Sequence, residues 1–174
     1  MRKTLFLVPA MLWAGSAMAQ PVVTTKPIET EKVSGTRTLT VDEAAGTRRM
    51  QLDVTRKADG ATASRDVTRQ RTDTGATVTG SARNFAGETA SWSKTRERTA
   101  DGFTASGTGT GFNGSAYTYA GQGSRTANGY TTNHSVTDAN GAVVRSRAAN
   151  VSRQNGQVTR QISTTRPERL GRRR

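Results

Sequence analysis

From Val33 onward, apolar and polar residues alternate over short runs and do not recur every third or fourth position. Thr36-Arg37-Thr38-Leu39-Thr40-Val41 and Thr89-Ala90-Ser91-Trp92-Ser93-Lys94-Thr95-Arg96 are the clearest examples. A period of two over this length marks a strand whose two faces meet different surroundings. The runs are punctuated by Gly60, Gly75, Gly87, Gly102, Gly114, Gly129, Gly141 and Gly156, at spacings that alternate between 15 and 12 residues. A 27-residue unit cut in two is therefore copied in tandem, one hairpin per copy. The pattern predicts an all-β, antiparallel, up-and-down meander of about ten strands of about 7–11 residues, curled, closed or left open. Asp59-Gly60, Asp101-Gly102, Asn113-Gly114, Asn128-Gly129, Asn140-Gly141 and Asn155-Gly156 suit the positive φ of tight hairpin turns. The 14-residue spacing from Gly46 to Gly60 breaks the rule and predicts an irregular first hairpin.

The repeat also aligns side chains. Arg71, Arg98 and Arg125 share one 27-residue column, with Arg69 and Arg96 two residues before the first two and hence on the same face. The fourth unit slips by one, to Ser152-Arg153. Equivalent residues on alternate strands are expected about 10 Å apart, so the arginines form a basic ladder suited to polyanion binding. The aromatic residues beyond the first 19 all fall between Phe85 and Tyr130. Phe85 and Phe112 stand at equivalent places before turn glycines, Trp92 and Tyr119 are 27 apart, and Tyr117 is close by. Repeated aromatics of this kind predict a stacked core, or alternatively a platform on which sugar rings or bases stack.

The chain begins with Arg2 and Lys3, an apolar run from Leu5 to Ala14, and small residues at Ala17 and Ala19. This is the pattern of a secretory signal peptide cleaved before Gln20, and the run is too short for a membrane span. Residues 20–32, with two prolines and mixed charge, read as an extended leader, residues 33–165 as the hairpin-repeat domain, and 166–174, with five arginines, as a disordered basic tail. Export places the chain in the periplasm or outside the cell.

The chain carries 26 Lys plus Arg against 13 Asp plus Glu. So basic a protein attracts anionic polysaccharide, lipid headgroups or extracellular nucleic acid. There is no cysteine and one histidine, His134, which excludes Cys/His catalysis and clustered Cys/His zinc sites. The carboxylates are scattered, with no pair arranged for glycoside hydrolysis. Gly107-Thr108-Gly109-Thr110-Gly111 lacks the Gly-Lys-Ser/Thr ending and the following helix of a phosphate loop. No enzyme, cofactor or metal is expected. A lipid-facing barrel is excluded by the arginines that interrupt both ends of the array.

The cadence Thr-Arg-x-Arg-Thr-x-x-Gly-x-Thr, which stands at residues 68–77 and 95–104, together with the Asn-Gly turns and the signal peptide, resembles uncharacterised exported Thr/Asn/Gly-rich β-hairpin repeat proteins of Gram-negative bacteria. The resemblance covers about residues 33–165 and implies no active site. The expected function is non-enzymatic binding of envelope or matrix polymers through a basic sheet face. Self-association by edge-strand pairing is the alternative, and ice binding through Thr-x-Thr pairs such as Thr38/Thr40 is a weaker third.

Overall fold

The computed structural model describes residues 20–165, so the signal-peptide and tail readings lie outside the described residues. The eleven strands are β1 (Val22–Glu29), β2 (Val33–Asp42), β3 (Thr47–Arg56), β4 (Thr62–Arg71), β5 (Gly75–Arg83), β6 (Thr89–Thr99), β7 (Gly102–Thr110), β8 (Ala116–Thr126), β9 (Gly129–Asp138), β10 (Val143–Gln154) and β11 (Gln157–Thr165). They lie in one antiparallel sheet in sequence order, and β1 and β11 remain its two edges. The predicted meander is present, and it is open. The segment read as a leader is extended and also paired: β1 joins β2 from Val22 opposite Val41 to Glu29 opposite Ser34.

No second layer covers this sheet among the described residues, and Ala76 is the one buried hydrophobic side chain. Order therefore comes from backbone ladders and cross-strand pairs, with no enclosed core to add to them. Alternation of large and small residues replaces core packing. Trp92 stands opposite Gly80 on β5 and Gly109 on β7, and Phe103 stands opposite Gly123 on β8. The rings lie down in the spaces that the missing Cβ atoms leave: a Cβ on Gly123 would stand 2.3 Å from the Phe103 ring. Gly107 and Gly109 thus belong to a strand floor: a Cβ on either would meet a β6 carbonyl oxygen, Ser93 at 2.3 Å or Ser91 at 2.7 Å, and at Gly107 also the Lys94 side chain at 2.9 Å.

The two rims of the sheet turn differently. At one, five-residue loops such as Asn84–Glu88 close on a side-chain oxygen: Asn84 accepts from the amides of Ala86 and Glu88, and Asp138 from those of Asn140 and Ala142. Gly60, Gly114 and Gly141 at this rim have positive φ, as expected, and so does Gly87. At the other rim, Gly102 and Gly129 do not. They are the first residues of β7 and β9, and a Cβ on either would meet a carbonyl oxygen of the adjacent strand, Gly123 at 1.9 Å or Val151 at 1.8 Å. Their need is for close backbone approach, which lets the next strand reach across the turn.

That reach carries a repeated bond. The amides of Arg98, Arg125 and Arg153 donate to the carbonyls of Thr74, Asp101 and Asn128, at 2.8, 2.7 and 2.6 Å, each a turn residue of the preceding hairpin. The one-residue slip of the fourth unit is absorbed by a bulge between Val143 and Arg145. Arg153 thereby takes the place that Arg98 and Arg125 hold. The following turn shifts with it, so that Asn155 and Gly156, at φ 50° and 78°, form the one turn among the described residues with two successive positive values.

Candidate functional site

Cross-strand partners share a face, so the register assigns every strand side chain to one side of the sheet. On one side stand Lys26, Arg37, Arg48, Arg56, Arg65, Arg69 and Arg71 of the first four strands, Lys94, Arg96 and Arg98 of β6, Arg125 of β8, Arg145, Arg147 and Arg153 of β10, and Arg160 of β11. The strand carboxylates Glu29, Asp42, Asp53, Asp66 and Glu97 stand on the other side, among threonines and serines. Three strand residues break the division: Arg49 of β3 and Arg83 of β5 stand with the carboxylates, and Asp138, at the last position of β9, stands with the cations, its carboxylate occupied by the turn amides. On the second face one carboxylate is paired within the sheet: Asp66 accepts from Arg49 Nε at 3.0 Å, and this bond holds its carboxyl below the usual aspartate range.

The cationic face has less relief: Arg56 pairs with the turn residue Asp59 at 2.9 Å, and its other strand cations have no ion pair among the described residues. Arg48 is directly opposite Arg69 on the adjacent strand, and Lys26 opposite Arg37. Like charges in that position repel. Their neighbours on the face are apolar or aromatic, and the cations lean onto rings. The Arg96 guanidinium carbon stands 3.7 Å from the Phe103 centroid, Lys94 Nζ 4.1 Å from that of Tyr119, Arg65 5.3 Å from Trp92, and Arg56 4.5 Å from Phe85. Lys94 passes over Gly107, and Arg65 reaches Trp92 across β5, where Gly80 and Ala82 are small. Small residues on one strand thus allow a cation to reach a ring two strands away.

The sequence-derived arginines Arg69, Arg71, Arg96, Arg98 and Arg125 are all on this face, and the column Arg71, Arg98 and Arg125 runs by a different route from the one expected. Arg71 is opposite Ala76, and Ala76 opposite Arg96, so the straight row across β4 and β6 has a 25-residue step. From β7 to β9 the step is 29, Ala105 to Gly121 to His134. The 27-residue column is the mean of these two and runs diagonally. Arg71, Arg98 and Arg125 follow the turn rim at intervals of about 12 Å, in place of the about 10 Å of a straight ladder. Trp92, Tyr117 and Tyr119 share the cationic face with the arginines, half-buried, whereas Phe85 and Phe112 lie in the five-residue loops. An enclosed aromatic core is not formed: Trp92 and Tyr119 lie half-buried on the sheet, with Arg65 and Lys94 over their rings.

The middle of the face has two adjoining depressions. One, of about 780 Å³, is bounded by Arg69, Arg96, Arg125, Phe103, Tyr130 and His134. The other, of about 520 Å³, is bounded by Arg65, Trp92, Phe112 and Tyr117. Lys94 and Tyr119 line both. Tyr119 Oη and His134 Nδ1 share a hydrogen bond of 2.7 Å, and the His134 ring stacks near Phe103 and Tyr119. Partial burial, then Arg147, Lys94 and Arg96, push His134 below the usual histidine range; burial, then Arg145, lowers Lys94. Burial raises Tyr119. Lys94, Phe103 and His134 were not singled out as site residues from the sequence. No signal in the sequence finds them, because the steps of 25 and 29 that set Lys94 in line with Tyr119 and Ala105 in line with His134 come from the register of the sheet.

Among the described residues no cluster of His, Asp and Glu could hold a metal ion, and no helix is long and apolar enough to cross a membrane. Comparison with protein-family models, curated proteins and solved structures returns no match to this chain.

Proposed function

We propose that the chain is an exported, non-enzymatic repeat protein that binds an anionic envelope or matrix polymer across its cationic face. The observation that supports this reading is the division of charge between the two faces. Most strand lysines and arginines are gathered on one side and the strand carboxylates, Asp138 apart, on the other, and Lys94 and His134 are lowered in part by neighbouring cations. A face in that condition gains from any ligand that supplies closely spaced negative charge, because binding relieves repulsion as well as forming new pairs. Anionic polysaccharide, lipid headgroups and extracellular nucleic acid share that chemistry. A polymer is favoured over a single phosphate because the cations extend from β1 to β11.

The test is the salt dependence of binding, read with double-stranded DNA as the probe polymer. Replacing Arg71, Arg98 and Arg125 by Gln is expected to reduce the slope of log affinity against log salt by about 2–3 units, one displaced counter-ion for each arginine. If that variant keeps wild-type affinity and slope while the Arg172, Arg173 and Arg174 to Gln variant loses both, the face is not the binding surface and the reading fails.

A further inference from the structure

An eleven-stranded open sheet leaves two edges, and their backbones are not equivalent. At β1, the Thr30 amide donates to the Val33 carbonyl. Hydrogen-bonded and free positions alternate along an antiparallel pair, so Ile28 and Lys26 exchange bonds with β2, while Glu29, Pro27, Thr25 and Val23 aim their backbone groups outward. Pro27 therefore occupies an outward position with no N–H to give and its ring projecting into the path of an added strand. At β11 the parity is set from the other side. The Arg153 amide is taken by Asn128, so that of Gln154 faces β11, and Gln154 and Gln157 close the Asn155-Gly156 turn as a hydrogen-bonded pair. Val158, Arg160, Ile162 and Thr164 then present their N–H and C=O groups to the open side, with no proline among them.

We infer that β11 is a dimerisation edge, pairing antiparallel with β11 of a second copy of this chain about a two-fold axis normal to the sheet. The occupant is argued from the strand's complementarity to itself. With Gln161 opposite Gln161 of the second copy, all nine residues of β11 are paired. Arg160, the single charged residue of the strand, then faces Ile162 of the second copy, and Val158 faces Thr164. Val158 and Ile162, now 59% and 47% exposed, gain cross-strand neighbours, and no two arginines are directly opposed. Rotation about the sheet normal keeps the faces in place, so the two cationic faces become one continuous surface. Because Pro27 blocks β1, association closes at two copies and does not propagate as a fibre.

The experiment is sedimentation of the full processed chain in high salt, where bound polyanion contributes nothing and edge pairing persists; it therefore stands or falls apart from the polymer-binding reading. The wild type is expected to be a dimer. Ile162→Pro removes an outward N–H and leaves the β10–β11 ladder intact, so it should give a monomer with an unchanged strand signal in circular dichroism. Pro27→Thr should open the second edge and convert dimers to longer chains. The chain has no cysteine, and the Gln161 pair falls at a non-hydrogen-bonded position where Cα atoms approach to about 4.5 Å. Gln161→Cys should therefore cross-link the dimer under mild oxidation, and Gln157→Cys should not. A monomeric wild type, an Ile162→Pro variant that remains dimeric, or a dimer that fails to cross-link through residue 161 would each overturn the proposal.

Discussion

Trp92 lies against Gly80 so closely that a Cβ on the glycine would stand 2.2 Å from the indole ring carbon Cζ2. The two residues face one another on β6 and β5, and Arg65 caps the ring from β4. This stack, a ring on bare backbone with a guanidinium on top, is the packing unit that a single-layer sheet has in place of a core. Its stability depends on the absence of one carbon atom.

Gly80→Val should consequently lift Trp92 from the sheet and cost about 1–3 kcal/mol, the usual range for overpacking a filled site. Trp92 is the one tryptophan outside residues 1–19, so fluorescence of the processed chain reports it directly. A red-shifted emission together with a lower urea midpoint is the expected pair of changes. An unchanged spectrum would mean that the ring does not rest on Gly80.

Glycines of the two rims should respond differently to the same substitution. At Gly141, φ is 83° and nothing lies within 4 Å of the added Cβ, so Ala costs only the left-handed strain, about 1 kcal/mol. At Gly129 the φ is ordinary but the Cβ would meet the Val151 carbonyl oxygen at 1.8 Å. Gly129→Ala should therefore be the more damaging of the two and should loosen the Arg153–Asn128 bond. Denaturant midpoints of the two variants give the order, and amide exchange at Arg153 gives the local effect.

His134 should titrate below its ordinary value of 6.5 in the free protein, because it is partly buried and faces Arg147, Lys94 and Arg96, with Tyr119 as its hydrogen-bond partner. The folded state therefore binds this proton less readily than the unfolded state does. The associated stability is intact above pH 6.5 and is lost as pH falls below that value. His134→Gln should remove this component of the acid sensitivity, seen as smaller differences between urea midpoints on either side of that range. A polyanion on the face should raise the His134 midpoint in NMR titration, so binding takes up a proton and tightens as pH falls. A midpoint at or above 6.5 in the free chain would contradict the crowding of positive charge described here.

The alternation of polar and apolar residues and the turn punctuation were sufficient for the class of fold, because strand parity and hairpin chemistry are local properties. The repeat also placed Arg69, Arg71, Arg96, Arg98 and Arg125 on a common face, whereas that Trp92, Tyr117 and Tyr119 share it follows from the register. β1 was not legible, since Val22–Glu29 has no turn glycine of its own and becomes a strand only because β2 offers it an edge. Nor was the register. A 27-residue period gives the average step between equivalent strands, whereas hydrogen bonding at two unlike rims resolves it into 25 and 29. That stagger sends the arginine column along the turns, carries Lys94 over Gly107 to Tyr119, and brings His134 beneath the cations. Which side chains meet across the sheet is fixed by contacts between strands distant in sequence, and these exist only once the whole sheet has formed.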